Sequence, residues 1–192
     1  MFAVFESYMR EHATLSDAEM KLIRDRTTVR AVRKKEKLLQ EGEVCHYKMF
    51  VAKGLLRMYS MRENGSEHIL SFAPESRWIT EAESYDKLTP SRYYIDAIED
   101  SEILQWTKHD FDALLSQIPN LRLFAERLIF NNLTLSRQRI VSAISSTAEE
   151  KYDEFINQYP DVFGRVPLHM VASYLGVTRK TLSRIRYAQL KG

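Results

Sequence analysis

The chain is poor in the residues that cross-link, break or embed a polypeptide. Its 192 residues include one cysteine, Cys45. A lone thiol closes no internal disulfide and cannot found a zinc or iron–sulfur cluster on cysteine ligands, which agrees with a reducing compartment. No apolar run approaches the roughly 18 residues of a membrane span. The opening MFAVFESYMREH places acids and a histidine where the hydrophobic run of a signal peptide should continue, so a cytoplasmic protein with no membrane partner is expected. Six glycines and five prolines exclude collagen-like composition. With 44% hydrophobic and 28% charged residues, the chain has material for one large or two small cores.

Acid is missing from one place in particular. The stretch RVPLHMVASYLGVTRKTLSRIR, Arg165 to Arg186, holds five basic side chains and no acid. Residues 1–118 carry 17 Lys and Arg against 20 Asp and Glu, whereas residues 119–192 carry 11 against 6. All the positive excess is C-terminal. A basic tail is usually a solvated face, so it points to a polyanionic partner only if a fold stands behind it.

The first 25 residues have helical spacing (Phe5, Met9; Leu15, Met20, Leu22, Ile23), and Ser16 with Glu19 reads as a capping box opening a second helix. From about Thr27 to Thr107 the chain turns to short runs rich in Val, Ile, Tyr, Phe and Trp. Turn residues separate them: EGE at 41–43, KG at 53–54, NGS at 64–66, APES at 73–76, TPS at 89–91 and ED at 99–100. Such spacing predicts an antiparallel sandwich or jelly roll. Asn64-Gly65 is expected to supply the positive-φ pair of a tight hairpin turn.

From Pro119 to about Ser145 the period is helical, and the helix carries two apolar stripes. Leu121, Phe124, Ala125, Leu128 and Leu135 form one; Ile129, Leu133, Ile140 and Ile144 form the other. One stripe seats the helix on its own domain. The second predicts the same helix of another subunit, with Leu121, Phe124, Leu128 and Leu135 as the dimerisation residues. The alternative is a helix buried in a groove of its own chain. Ser146-Thr147 before Glu149-Glu150 then caps a helix to about Tyr159.

The acid-free stretch resolves into two helices. Pro167 suits the first turn of one whose inner face is Val171, Ala172 and Leu175. Gly176 sits where the chain reverses, Val177 fills the corner, Thr178 caps, and Leu182 and Ile185 face inward on the second helix. This is a helix-turn-helix, with small Ala172 permitting close approach. The positions expected to meet DNA are Thr178, Arg179, Lys180, Thr181, Ser183, Arg184 and Arg186: guanidinium and ammonium groups for guanine edges and phosphates, hydroxyls for phosphates. Arg165 is expected on a phosphate as well.

EGE (41–43), AIEDSEIL (97–104) and LGVTRKTLSRIR (175–186), in that order along the chain, resemble the Crp/Fnr family of bacterial transcription regulators. The resemblance covers nearly the whole chain. It implies an α+β fold: a β-roll sensor with N-terminal helices over 1–118, a dimerisation helix over 119–146 and a helix-turn-helix unit over 147–192. It also implies a homodimer on double-stranded DNA, an effector pocket against the long helices, and RNA polymerase as a further partner. Cyclic-nucleotide binders of this fold are similar in a Gly-Glu for the ribose and, ten residues after the Glu, an Arg for the cyclic phosphate. Counted back from AIEDS, those positions are Thr80-Glu81 and Ser91-Arg92. The Gly and the Arg are thus replaced, so Glu81, Ser91 and Arg92 are pocket candidates for an effector other than cyclic AMP. Arg92, if on a strand, points away from Ser91. Family members commonly have Glu where Lys180 stands, so a different base is expected opposite it. Six residues follow Arg186, too few for a β wing.

Two other function classes compete with this reading. A cupin-like enzyme needs converging ligands, yet His12, His46, His68, His109 and His169 are scattered without metal-ligand spacing, so no metal, cofactor or catalytic residue is expected. A protein-interaction module with a purely structural helix-turn-helix would bind DNA without salt sensitivity or not at all.

Overall fold

In a computed structural model, which describes residues 1–189, the chain opens on α1 (Phe2–His12) and α2 (Asp17–Asp25). The capping box is present: Ser16 Oγ accepts from the Glu19 amide, and the Glu19 carboxylate accepts from the Ser16 amide at 2.7 Å. Eight strands follow, interrupted by one short helix: β1 (Thr28–Val32), β2 (Lys37–Leu39), β3 (Tyr47–Lys53), β4 (Leu56–Met61), β5 (Glu67–Ala73), β6 (Trp78–Ile79), α3 (Ala82–Lys87), β7 (Tyr94–Ala97) and β8 (Ser101–Thr107). They pair antiparallel into two four-stranded sheets, ordered β1-β8-β3-β6 and β2-β7-β4-β5. This is the expected roll.

Strand β3 shows why the run MFVA is not alternating. Met49 and Val51 point between the sheets onto Leu56, Ile95 and Ile103, while Phe50 points outward under Phe5, Trp106 and Phe124. Both faces are buried, so both are apolar. The outer layer consists of α1, α2, α4 (Lys108–Gln117) and the start of α5 (Pro119–Ser145). Two helices were not anticipated. α4 is capped by Thr107, whose hydroxyl accepts from the Asp110 amide at 3.1 Å, and α3 is capped by Glu81.

The hairpin between β4 and β5 corrects the expected turn. Met61 pairs with Glu67, leaving five residues in the loop, and of the Asn64-Gly65 pair only Gly65 takes positive φ, at 79°. Gly65 N–H donates to Arg62 O at 2.8 Å, and the Asn64 side chain accepts from the Ser66 amide. The side-chain bond replaces one that a two-residue turn would have made in the backbone.

Gly54 is needed for two independent reasons. Its φ is 96°, and a Cβ there would lie 2.7 Å from Ser101 Cα. Overpacking and left-handed strain each cost about 1–3 kcal/mol, so Gly54→Ala should lower the unfolding free energy by about 2–6 kcal/mol in a urea titration. An unchanged midpoint would mean that the β3–β4 turn yields freely.

Helix α5, about 40 Å long at 1.5 Å per residue, packs its apolar side chains on the roll at its beginning. Leu121 and Phe124 are buried in the same core as Phe5 and Leu114, Ala125 is buried as well, and Leu128 packs half-buried against that core. Leu121 and Phe124 were expected in a dimer seam; the structure places them inside their own core, because the first two turns of α5 close the outer layer of the roll. Leu135 is exposed. The remaining helix displays a row of uncovered apolar side chains: Phe130 at 68% exposure, Ile140 at 60% and Ile144 at 82%, with Ile129, Leu133 and Val141 beside them.

Candidate nucleic-acid interface and effector cleft

Three helices close the C-terminal region: α6 (Ala148–Gln158), α7 (Leu168–Leu175) and α8 (Arg179–Gln189). Thr147 and Glu150 form a second capping box at the start of α6. Pro167 stands at the N-cap of α7, one position before the first helical residue. Gly176 turns the chain at φ 68°, Val177 N–H donates back to Ala172 O at 3.0 Å, and Thr178 Oγ1 accepts from the Thr181 amide at 3.0 Å. Val171, Ala172, Leu182 and Ile185 are buried together with Tyr152, Phe155, Val162 and Val166, while Leu175 and Val177 are half-buried. The helix-turn-helix therefore has a complete apolar core. Tyr174, also buried, was not among the expected core residues.

The outer face of α8 carries Arg179, Lys180, Ser183 and Arg184, all exposed. Arg184 approaches Glu149 only to 4.0 Å, and both are well exposed, so the pair holds Arg184 weakly. Three expected contacts read differently here. The Thr178 and Thr181 hydroxyls lie 2.8 Å apart and are engaged with each other and with the α8 cap, and Thr181 is half-buried. The Arg186 guanidinium lies over the Phe163 ring, 5.4 Å from its centre, at the margin of the exposed face. Tyr187 was missed: it is 60% exposed and lies one turn past Ser183 and two past Lys180. The i, i+4, i+7 relation among residues 180, 183/184 and 187 was the signal that places it on that face. The expectation that no wing follows concerns the end of the chain, whose last three residues lie outside those described.

The helix-turn-helix is docked on the roll. Tyr59, Ile69, Phe72 and Ile98 of the roll share one apolar cluster with Phe155, Val166 and Tyr174. Strand β5 is a sheet edge, and α7 covers it: Ser173 Oγ donates to Glu67 O at 2.6 Å and accepts from the Ile69 amide at 3.1 Å. One hydroxyl thus satisfies two edge groups. Arg139 of α5 donates to the carbonyls of Leu70, Ile69 and Tyr174, with its guanidinium 3.9 Å from the Tyr174 ring centre. Beneath this contact Arg57 is buried between Asp96 and Glu67. Arg165, expected on a phosphate, instead pairs with Glu75 at 2.8 Å and with Glu99. Burial alone would raise the Glu75 carboxyl, but the Arg165 guanidinium and the Gly54 N–H hold it below its usual range.

The three pocket candidates come to one place. A cleft of about 310 Å³ is lined by Glu81, Glu83, Lys87, Thr89, Pro90, Arg92 and Tyr93. Glu81 is buried and accepts from the amides of Glu83 and Ser84, so its carboxylate caps α3. Ser91 is buried behind the lining, its hydroxyl donating to Tyr93 O and accepting from Tyr93 N–H at 3.0 Å each. Arg92 does not turn away from the cleft, as a strand would have required: residues 91–93 form a loop before β7, and Arg92 stands on the cleft wall. Among the described residues no group of three His, Cys, Asp or Glu is placed to hold a metal ion, and no helix is long and apolar enough to cross a membrane.

An antiparallel roll, a long helix and a C-terminal helix-turn-helix follow one another in that order along the chain. Residues 29–118 match the Cyclic nucleotide-binding domain family. The chain is 23% identical over 167 residues to the electron transport regulator A of Shewanella oneidensis, a match covering 80% of this chain and 65% of the relative. It spans about two thirds of that relative's length. FixK2 from Bradyrhizobium japonicum superposes with a TM-score of 0.73 at 20% identity, covering 86% of this chain and 84% of that one. A regulator assigned to the Crp/Fnr family from Eubacterium rectale superposes with a TM-score of 0.68 at 19% identity, covering 93% and 85%. Residues 29–118 are thus similar to a cyclic nucleotide-binding domain, the whole chain shares the fold of solved Crp/Fnr-type structures, and the relatives it resembles are named as regulators.

Proposed function

We propose that the chain is a homodimeric, sequence-specific DNA-binding transcription regulator, with residues 1–118 as sensor, 119–146 as dimerisation helix and 147–192 as the DNA-binding unit. The observation that carries this reading is the acid-free outer face of α8: Arg179, Lys180, Ser183 and Arg184 stand exposed on a helix-turn-helix with a complete core. A recognition helix meets base edges with the side chains near its start, where Arg179 and Lys180 lie. The uncovered row on α5 supports a second copy as partner, and RNA polymerase is the machinery on which such binding would act. Anisotropy with genomic fragments enriched by the protein tests the reading. Affinity should fall about 100-fold or more between roughly 50 and 200 mM salt. Binding to no fragment, or binding insensitive to salt, would leave the helix-turn-helix a structural element.

The cleft supports an effector other than cyclic AMP. Glu81 already accepts from two amides and the Ser91 hydroxyl is bonded to the Tyr93 backbone, so a nucleotide would have to share both groups with the chain's own backbone. Glu83 adds a second carboxylate to the wall, and its partner Lys87 is tied to it at 2.9 Å. Without a buried bidentate cation for the phosphate, about 2–5 kcal/mol is missing, or roughly 30-fold or more in affinity. Calorimetry should register no micromolar binding of cyclic AMP or cyclic GMP. A micromolar dissociation constant would show that Arg92 or another group replaces the missing Arg.

A further inference from the structure

We propose that Arg165 is a positioning residue that sets the reading helix against the roll, and that it connects both walls of the effector cleft to that helix. The inference rests on the DNA-binding reading above. Arg165 grips Glu75 with both terminal nitrogens, at 2.8 and 3.0 Å, and Glu99 with one of them. Glu75 is itself anchored by the Gly54 N–H at 2.7 Å. The two acceptors have a particular place in the chain. Glu75 lies six residues before Glu81, with β6 between them, and Glu99 lies seven residues after Arg92, with β7 between them. Glu81 and Arg92 line the cleft. Each short strand therefore has a cleft residue at one end and an Arg165 acceptor at the other.

The docked arrangement leaves the outer face of α8 open to solvent, so docking does not mask the reader. What docking does is fix its direction. Two reading helices in a dimer must meet half-sites about 34 Å apart, which a loosely tethered unit achieves only at a cost in conformational entropy. A bidentate, charge-assisted pair holds one orientation where the apolar cluster alone tolerates sliding. Had Arg165 been a phosphate contact, it would have to abandon two carboxylates to reach DNA.

The full-length protein and three variants, Arg165→Gln, Glu75→Gln and Glu99→Gln, decide the matter on a duplex with two half-sites and on a single half-site. All three variants should bind the two-half-site duplex about tenfold more weakly and the half-site as the unmodified protein does. Weaker binding of both duplexes by Arg165→Gln, with tighter binding by the two Glu variants, would make Arg165 a phosphate contact and overturn the proposal. Hydrogen exchange reads docking directly, because the Ile69 amide donates to Ser173 Oγ across the interface. Arg165→Gln should speed its exchange about tenfold, and, coupling being reciprocal, should also speed exchange in α3 and residues 89–93. Unchanged exchange at Ile69 would remove the positioning role, and unchanged exchange at the cleft would remove the link to it. If no variant and no unmodified protein binds any duplex, the DNA reading fails, while Ile69 exchange still judges Arg165.

Discussion

Ile140→Glu will give a folded monomer where the unmodified chain sediments as a dimer at micromolar concentration. Ile140 is 60% exposed in the single chain, so the substitution removes little from the protomer's own core. Phe130, Leu133, Arg137, Ile140 and Ile144 follow one another at intervals of three and four residues, the repeat that places side chains along one seam of a coiled coil. Arg137 is the polar position in that row, of the kind that fixes register at some cost in stability. A carboxylate at 140 in each copy would be buried without a partner. That costs about 3–5 kcal/mol, or about 100-fold or more in the dimer dissociation constant. The urea midpoint of the monomer should stay close to that of the unmodified chain at high dilution. Phe124→Ala provides the contrast: it lies in the roll's outer core and should lower stability by about 3–5 kcal/mol without acting on the seam. A monomeric unmodified protein, with and without DNA, would end the dimer proposal, as would an Ile140→Glu protein that still sediments as a dimer.

Arg179→Ala and Arg184→Ala should each weaken the enriched operator by about 1–3 kcal/mol, roughly 5- to 150-fold, and relax preference at one base pair. Both side chains are exposed, and Arg184 leaves only a 4.0 Å approach to Glu149 when it turns to DNA. Arg186 stands apart. It lies over Phe163 at the edge of the face, a place suited to a phosphate, so Arg186→Ala should weaken all sequences alike and reduce the salt slope by about one unit. Titrations of operator and scrambled duplexes over a salt series separate these outcomes. Equal losses on both duplexes for Arg179→Ala and Arg184→Ala would reduce them to electrostatic anchors. No loss for any of the three would detach α8 from DNA altogether. Lys180 can only donate, so its preferred base should be an acceptor such as guanine, and Lys180→Glu should shift preference toward cytosine at that position.

What the sequence determined by itself was local. The two capping boxes, the 27-residue helix from Pro119 to Ser145 and the turn at Gly176 all depend on residues three or four apart, and those relations survive in any tertiary context. The strands between 28 and 107 were legible for the same reason, because turn residues and β-branched runs alternate at short range. Tertiary structure decided the rest. Leu121 and Phe124 share a stripe with Leu135, and only the presence of α1 and α4 above the roll separates the buried two from the exposed one. Helix α3 is six residues long, too short for a period to declare itself, and is held by the Glu81 cap and the burial of Tyr85. Arg165 reads in sequence as one more cation of a basic stretch. Its partners stand 90 and 66 residues away, so no local pattern could assign them, and the folded roll alone brings both carboxylates to one guanidinium. Arg139 is the same case, since a solvated position on a helical wheel became a clamp on three carbonyls once β5 and α7 met beneath it. Charge and periodicity are properties of a segment, whereas the partner of a charge is a property of the packing.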